Sequence, residues 1–353
     1  MNDSTITLTA ERTAITEPSS SGWLARQWPG LALATALGIT GLLLAQWGPF
    51  QHAQISALTI AIVLGIALGN ALGTHLPQPL APGVITAQQK LLRLGVILYG
   101  LRLSFAQIAA IGPAALFVDL VMVISTLTLA YWLGRRVFGL DRDSALLTGI
   151  GSAICGAAAV LALERVLKPD PGKVAMAVAT VVLFGTIDIF LYPWLYPHLG
   201  MDAHHFGLYT GASVHEVAQV IAAASAISPA TADTAVVVKL TRVLLLVPAL
   251  FIFGAMAARG GVEGEPRARI RPPWFALVFV LVSIFNSMVV LPTDVRHVLL
   301  TLDTFLLAAA MAALGLETRV AKLRALGLKP LLLATTLWIW LMGTGFVLVH
   351  TLT

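Results

Sequence analysis

Apolar runs long enough to cross, or nearly cross, ~30 Å of hydrocarbon recur along the chain. They fall at 30–47, 55–73, 91–111, 113–133, 174–196, 234–257, 273–291, 299–316 and 330–350. Two further runs, 144–163 and 206–227, are apolar overall but rich in Gly, Ala and Ser. The pattern predicts an all-α, polytopic membrane helix bundle, with the first nine runs as full spans and the last two as broken or re-entrant helices. A polar N-terminal segment, 1–29, precedes one transmembrane domain over 30–353.

The basic residues set an orientation. Arg12, Arg26, Lys90, Arg93, Arg135, Arg136, Arg142, Arg165, Lys168, Lys173, Arg259, Arg267, Arg269, Arg271, Arg319, Lys322, Arg324 and Lys329 all fall in segments that the spans bring to one face. By the positive-inside rule that face is cytoplasmic, which puts the N-terminus inside and the C-terminus outside. The opposite loops hold only Arg296. Run 144–163 has basic loops on both sides and run 206–227 has neither loop basic, so each reads as a hairpin that enters and leaves by one face. Crossing, broken helices remain the alternative; they would swap only the loops 164–173 and 197–205.

Composition agrees. Of the 353 residues 58% are hydrophobic and 11% charged, and the mean hydropathy is +0.88, which excludes an ordinary soluble globule. The pI near 9.6 reflects loop cations, so no nucleic-acid partner is implied. One cysteine, Cys155, excludes an intramolecular disulfide framework. The first 22 residues lack an apolar h-region, so no cleaved signal peptide is expected.

The two irregular runs share a local pattern. Thr148-Gly149-Ile150-Gly151-Ser152-Ala153-Ile154-Cys155 resembles Thr210-Gly211-Ala212-Ser213-Val214-His215-Glu216 once a gap is allowed. The echo suggests inverted repeats. Ser213-x-x-Glu216 before Val217-Ala218-Gln219 reads as a capping box opening a half-helix, with Ser152 opening a matching one. A helix that starts at membrane depth points free N–H groups and the positive end of its dipole into the space there, which suits an anion. Close helix packing is the plainer reading of such Gly- and Ser-rich runs.

Three cations lie inside spans, each costing ~2.5–3.5 kcal/mol or more at the bilayer centre. Arg102, Lys239 and Arg242 all fall near the depth expected of the hairpin tips, so they are candidate substrate-binding residues together with Ser152 and Ser213. Internal pairing is the competing reading: Asp119 or Asp188 could neutralise Lys239. Asp303 reads as a cap or surface charge, and His204 and His205 as outer-loop residues. His215, Glu216, Asp119 and Asp188 are the candidates for proton or ion coupling, His215 because imidazole titrates near neutrality.

The stretches Leu94 to Leu103, Ile154 to Ala159, Gly211 to Val220 and Lys239-Leu240-Thr241-Arg242 together resemble the YeiH-type family of bacterial inner-membrane proteins, which carries the label of sulfate exporters. The resemblance covers nearly the whole chain after the polar N-terminus. It implies a multi-helix transporter of the cytoplasmic membrane, distantly similar to the cation/proton antiporter and bile-acid symporter group.

The leading expectation is a secondary transporter exporting a small anion, sulfate or sulfonate-like, with no cofactor, no metal and no enzymatic role. A divalent anion leaving a cell that is negative inside gains about 4.6 kcal/mol per 100 mV, so export could run downhill. The alternative is an ion/proton antiporter working through Asp119, Asp188, His215 and Glu216. An intramembrane hydrolase is disfavoured, because Ser152 precedes Ala153 and Gln219 stands where a second metal-binding His would be needed. The expected partners are the small anion and the lipid bilayer, and the sequence leaves a homo-oligomer open.

Overall fold

The computed structural model describes residues 20–52, 55–73, 76–258, 273–319, 321 and 327–352; the polar stretch 1–19 lies outside them. Every regular element among the described residues is helical. In chain order these are α1 (Ser20–Ala45), α2 (Gly48–His52), α3 (Ala57–Ala71), α4 (Ala81–Thr86), α5 (Leu92–Tyr99), α6 (Phe105–Arg136), α7 (Arg142–Ile150) and α8 (Ala157–Leu167). They continue as α9 (Pro171–Leu199), α10 (Ala203–Ser213), α11 (Val217–Ser225), α12 (Pro229–Leu244), α13 (Leu246–Ala258), α14 (Trp274–Met288), α15 (Thr293–Glu317) and α16 (Leu328–Leu352). A wide π turn, Ala87–Leu91, joins α4 to α5, and another, Gly151–Cys155, extends α7.

Among the described residues six helices are long and apolar enough to cross a membrane: those within α1, α6, α9, α12–α13, α15 and α16. A seventh candidate is the bent pair Ala81–Arg102 plus Phe105–Ile111. α3 and α14, at 15 residues each, rise only ~22 Å and are short for a straight crossing.

One expected boundary moves. Hydropathy places a break near residue 112, yet α6 runs unbroken through Pro113, and the chain instead turns by 98° just before Phe105. The physical cause is a capping box at Ser104: its hydroxyl accepts from Gln107 N–H while the Gln107 side chain accepts from Ser104 N–H. Two helix-start N–H groups are thereby satisfied, and hydropathy alone is blind to that signal.

The helices pack in two groups. The first joins α1, α3, α4, α5, α14 and α15 through close backbone approaches; a Cβ on Gly315 would lie 2.3 Å from Ile62 O, and one on Gly65 2.3 Å from Ala312 O. Small residues at such crossings give membrane helices their van der Waals contact. The second group joins α6 to α13 and α16. An apolar cavity of about 430 Å³ lies between them, lined from one side by Leu44, Ile60 and Leu64 and from the other by Ile189 and Pro193.

Both irregular runs fold as re-entrant hairpins. α7 descends antiparallel to α6, since Gly134 packs on Ala145 and Gly149 on Ala130. α8 ends at Leu167 and α9 begins at Pro171, and Lys173 Nζ lies 2.7 Å from Asp141 Oδ2 at the N-cap of α7. The start of α7 and the end of α8 therefore share a face. In the second hairpin Gly207 packs on Thr231 and Thr234, and Gly211 on Ala235 and Val238, so α10 runs parallel to α12. α11 ends at Ser225, just before α12 begins, so it returns to the face that α10 left. Each hairpin is followed by a long span, and the two hairpin-plus-span units run in opposite directions.

The Asp141–Lys173 contact offers a test at the mouth of the first hairpin. Burial alone would raise the Asp141 carboxyl, but bonds from Lys173 and from the Ser144 hydroxyl and N–H outweigh it and hold the group at about 2. A carboxylate depressed in the folded state stabilises above its unfolded value, ~3.9, and that contribution is lost as pH falls through the folded value. Asp141→Asn keeps the cap acceptor and removes the charge. It should cost about 0.5 kcal/mol at neutral pH, given the side chain's exposure, and nothing near pH 2, as read by thermal unfolding in detergent.

Candidate functional site

The tips of the two hairpins meet, and α12 supplies what holds them. Lys239 stands ten residues from the start of α12, ~15 Å along the helix, and is fully buried. Its Nζ donates to Val214 O at 2.6 Å in the outer hairpin and to Ile154 O at 3.0 Å in the inner one. Arg242, also fully buried, donates to Ala212 O through Nη1 and to Gly211 O (3.3 Å) and Val214 O (2.9 Å) through Nη2. These are the carbonyls left open where α10 and the α7 turn end. Cations there complement the negative ends of both entering half-helices.

This placement revises three expectations. Lys239 and Arg242 stand at the hairpin tips, but their donors are engaged by backbone and are not free for a ligand. Only Arg242 Nε lacks a hydrogen bond, with Asp119 Oδ1 at 3.8 Å. Arg102 lies elsewhere: it pairs with Asp303 at 2.6 Å, donates to Thr304 Oγ1 at 2.8 Å and stacks over Tyr99 at 5.1 Å. Asp303, ten residues into α15, is fully buried and neither a cap nor a surface charge. Tyr99 in turn donates to Asp233 Oδ1 on α12 at 2.9 Å, linking the two helix groups.

The two serines also move. Ser213 is the last residue of α10 and does not cap α11; its hydroxyl bonds back to Tyr209 O and accepts from Tyr192 at 2.7 Å. The N-cap of α11 is Glu216, without a side-chain cap bond. Ser152 is buried in the π turn of the entering half, and the returning half opens five residues on, at Ala157. The break itself is Gly156, at φ 71° and ψ −136°, a region in which a Cβ is strained. Nor is there room for one: a Cβ would lie 2.9 Å from Val181 Cγ1 and 3.0 Å from Glu216 Cγ.

The returning half-helices start differently from the way the entering ones end. Neither α8 nor α11 has a side-chain cap bond. Ala158 is exposed and Ala157 and Glu216 are half-buried, while Gly151 to Gly156 and Val217 to Ala224 are buried. On the first turn of α11, Gln219 is fully buried in the notch left by Gly185; its Nε2 faces Val182 O at 3.5 Å and its Oε1 has no hydrogen-bond partner.

Behind the tips lies a buried acid–base set. His215 Nδ1 is 3.4 Å from Asp188 Oδ2, and Trp338 Nε1 donates to Asp188 Oδ1 at 2.7 Å. Neither oxygen of the fully buried Asp119 has a hydrogen-bond partner. All four residues expected to couple protons or ions thus lie around the tips: His215 and Asp188 as a pair, Asp119 at 3.8 Å from Arg242, and Glu216 without a hydrogen bond among the described residues. The links through Trp338, Gln219 and Tyr99 carry no local sequence signature. Among the described residues no cluster of three or more His, Cys, Asp or Glu could hold a metal ion.

Comparison with known proteins places the chain. Residues 29–334 match the family model described as "Conserved hypothetical protein 698". The chain is 49% identical over 324 residues to the UPF0324 inner membrane protein YeiH of Escherichia coli K12, covering 90% of this chain and 92% of that one. The chain belongs to the UPF0324 family. Other UPF0324 membrane proteins match as fully: one from Yersinia pestis is 47% identical over 96% of both chains, and one from Pseudomonas aeruginosa 49% identical over 90% of this chain and 93% of that one. No solved structure matches. The helical architecture expected from the YeiH-type resemblance therefore stands, in a family whose relatives are named inner membrane proteins.

The clamp makes a prediction about stability. Lys239→Met removes two charge-assisted bonds, leaving the Ile154 carbonyl unpaired and the Val214 carbonyl to Arg242 alone, a loss of roughly 3 kcal/mol. Thermal unfolding of the purified variant should show a marked drop. A residue that merely waits for substrate would leave stability unchanged or improved.

Proposed function

We propose that this UPF0324 protein is a secondary transporter exporting a small oxyanion, sulfate or sulfonate-like, across the cytoplasmic membrane, with the anion received where α8 and α11 begin. The observation that carries the reading is the division of labour at the tips. Lys239 and Arg242 cap the carbonyl ends of the entering half-helices, and the N–H ends of the returning halves lack side-chain caps and lie beside the exposed Ala158 and the half-buried Glu216. Free N–H groups and the positive dipole end at mid-membrane depth favour an anion. Two hairpins inserted from opposite faces also suit a site reached alternately from either side.

In this reading Lys239, Arg242 and Ser213 position the hairpins, Ser152 supports the inner turn, and Arg102 with Asp303 braces the first helix group. The loop charges supply the orientation, with the N-terminus cytoplasmic and the C-terminus outside. The second reading, an ion/proton antiporter, draws support from the unpartnered Asp119 carboxylate and the Asp188–His215 pair.

Purified protein in liposomes separates the two. Sulfate efflux should rise with a potential negative inside, and Ala158→Asp, which sets a carboxylate on the exposed first turn of α8, should cut it at least about tenfold, a barrier change of ~1.4 kcal/mol. Cation flux driven by a pH gradient, indifferent to anions and abolished in Asp119→Asn, would establish the antiporter instead.

A further inference from the structure

Glu216 is out of keeping with an anion site, and its position explains how the two coexist. Its Cβ and Cγ lie 3.5 and 3.0 Å from where a Gly156 Cβ would stand, so the side chain rests in the notch left by the residue that opens α8. The carboxylate has no hydrogen bond among the described residues. Gly156 N–H is taken by Gly151 O, and the ladder of α8 begins with Ala159 N–H to Gly156 O. That leaves the first N–H groups of α8, on Ala157 and Ala158, beside a half-buried carboxylate on a flexible stem.

The cations around it are already engaged, and the buried Asp119 carboxylate on α6 lies 3.8 Å from Arg242. Lys239 on α12, the cation in electrostatic reach, is held by Ile154 O and Val214 O. Arg242 on the same helix grips α10. On the π turn Cys155 is a buried thiol, and His215, next in the chain, faces Asp188 on α9. On the first turn of α11, Gln219 Oε1 is fully buried and without a hydrogen-bond partner among the described residues. It is an acceptor and needs a donor, which a protonated carboxyl or a protonated ligand oxygen provides and a bare oxyanion does not.

We propose that Glu216 is a tethered carboxylate that competes with the transported oxyanion for the start of α8, so that the anion binds only when Glu216 is protonated. Anion and proton are then taken up together. This rests on the anion-transport reading and gives it a coupling ion. Ionised, the side chain fills the site with the protein's own negative charge; protonated, it can donate to a neighbouring acceptor and leave the N–H groups to the ligand.

The test measures sulfate binding to purified protein calorimetrically between about pH 5 and about pH 8, where sulfate keeps its double charge and any slope belongs to the protein. Wild type should bind more weakly as pH rises, by up to about tenfold per pH unit, and take up about one proton per sulfate, read with a pH-indicator dye in weak buffer. Glu216→Gln should bind at every pH as wild type does at low pH, without proton uptake. Proton uptake in wild type requires no variant to fold. Sulfate binding without proton uptake, or an unchanged slope in Glu216→Gln, overturns the proposal and leaves the transport reading standing. No sulfate binding by either protein at any pH overturns both.

Discussion

Two buried cations on one helix hold the centre of this protein together. A hairpin that ends halfway through a membrane leaves its last carbonyls without partners, and in hydrocarbon each such group costs several kcal/mol. Lys239 and Arg242 answer that need for both hairpins at once, from a single stretch of α12. The cations are themselves costly at that depth, so each side solves the other's problem. Neither the tips without the cations nor the cations without the tips would be stable there.

Function follows from which ends are capped. Because the cations complete the carbonyl ends, the N–H ends of α8 and α11 are the helix ends left without side-chain caps, beside the exposed Ala158 and half-buried Glu216. Gly156 makes this possible by reversing the chain without a side chain, and its empty notch receives Glu216. The opposite insertion of the hairpins brings the two starts together from the two faces.

Much of this was legible in the chain. The Gly- and Ser-rich character of 144–163 and 206–227 set them apart from plain spans, and the loop cations around the first pointed to entry and exit by one face, as the Asp141–Lys173 contact places them. The depth of Lys239 and Arg242 was also readable; their role was not, because a cation that binds an anion and one that caps a carbonyl look alike in sequence. Ser213 misled for a similar reason: a Ser three residues before a Glu fits a capping box, but the preceding helix here absorbs the Ser and the break falls at 214–216. Pairings such as Arg102–Asp303 span 201 residues, and no local pattern encodes them.

The hairpin geometry is the claim on which the rest depends, and side-specific cysteine labelling tests it most directly. In a background with Cys155 replaced by Ser, single cysteines at Gly139 and Lys168 would flank the first hairpin, and others at Met201 and Ile227 the second. Membrane-impermeant reagent applied to right-side-out and inverted vesicles should label the first pair from one face and the second pair from the other. Labelling of Gly139 and Lys168 from opposite faces would make the first run a crossing helix and contradict the account.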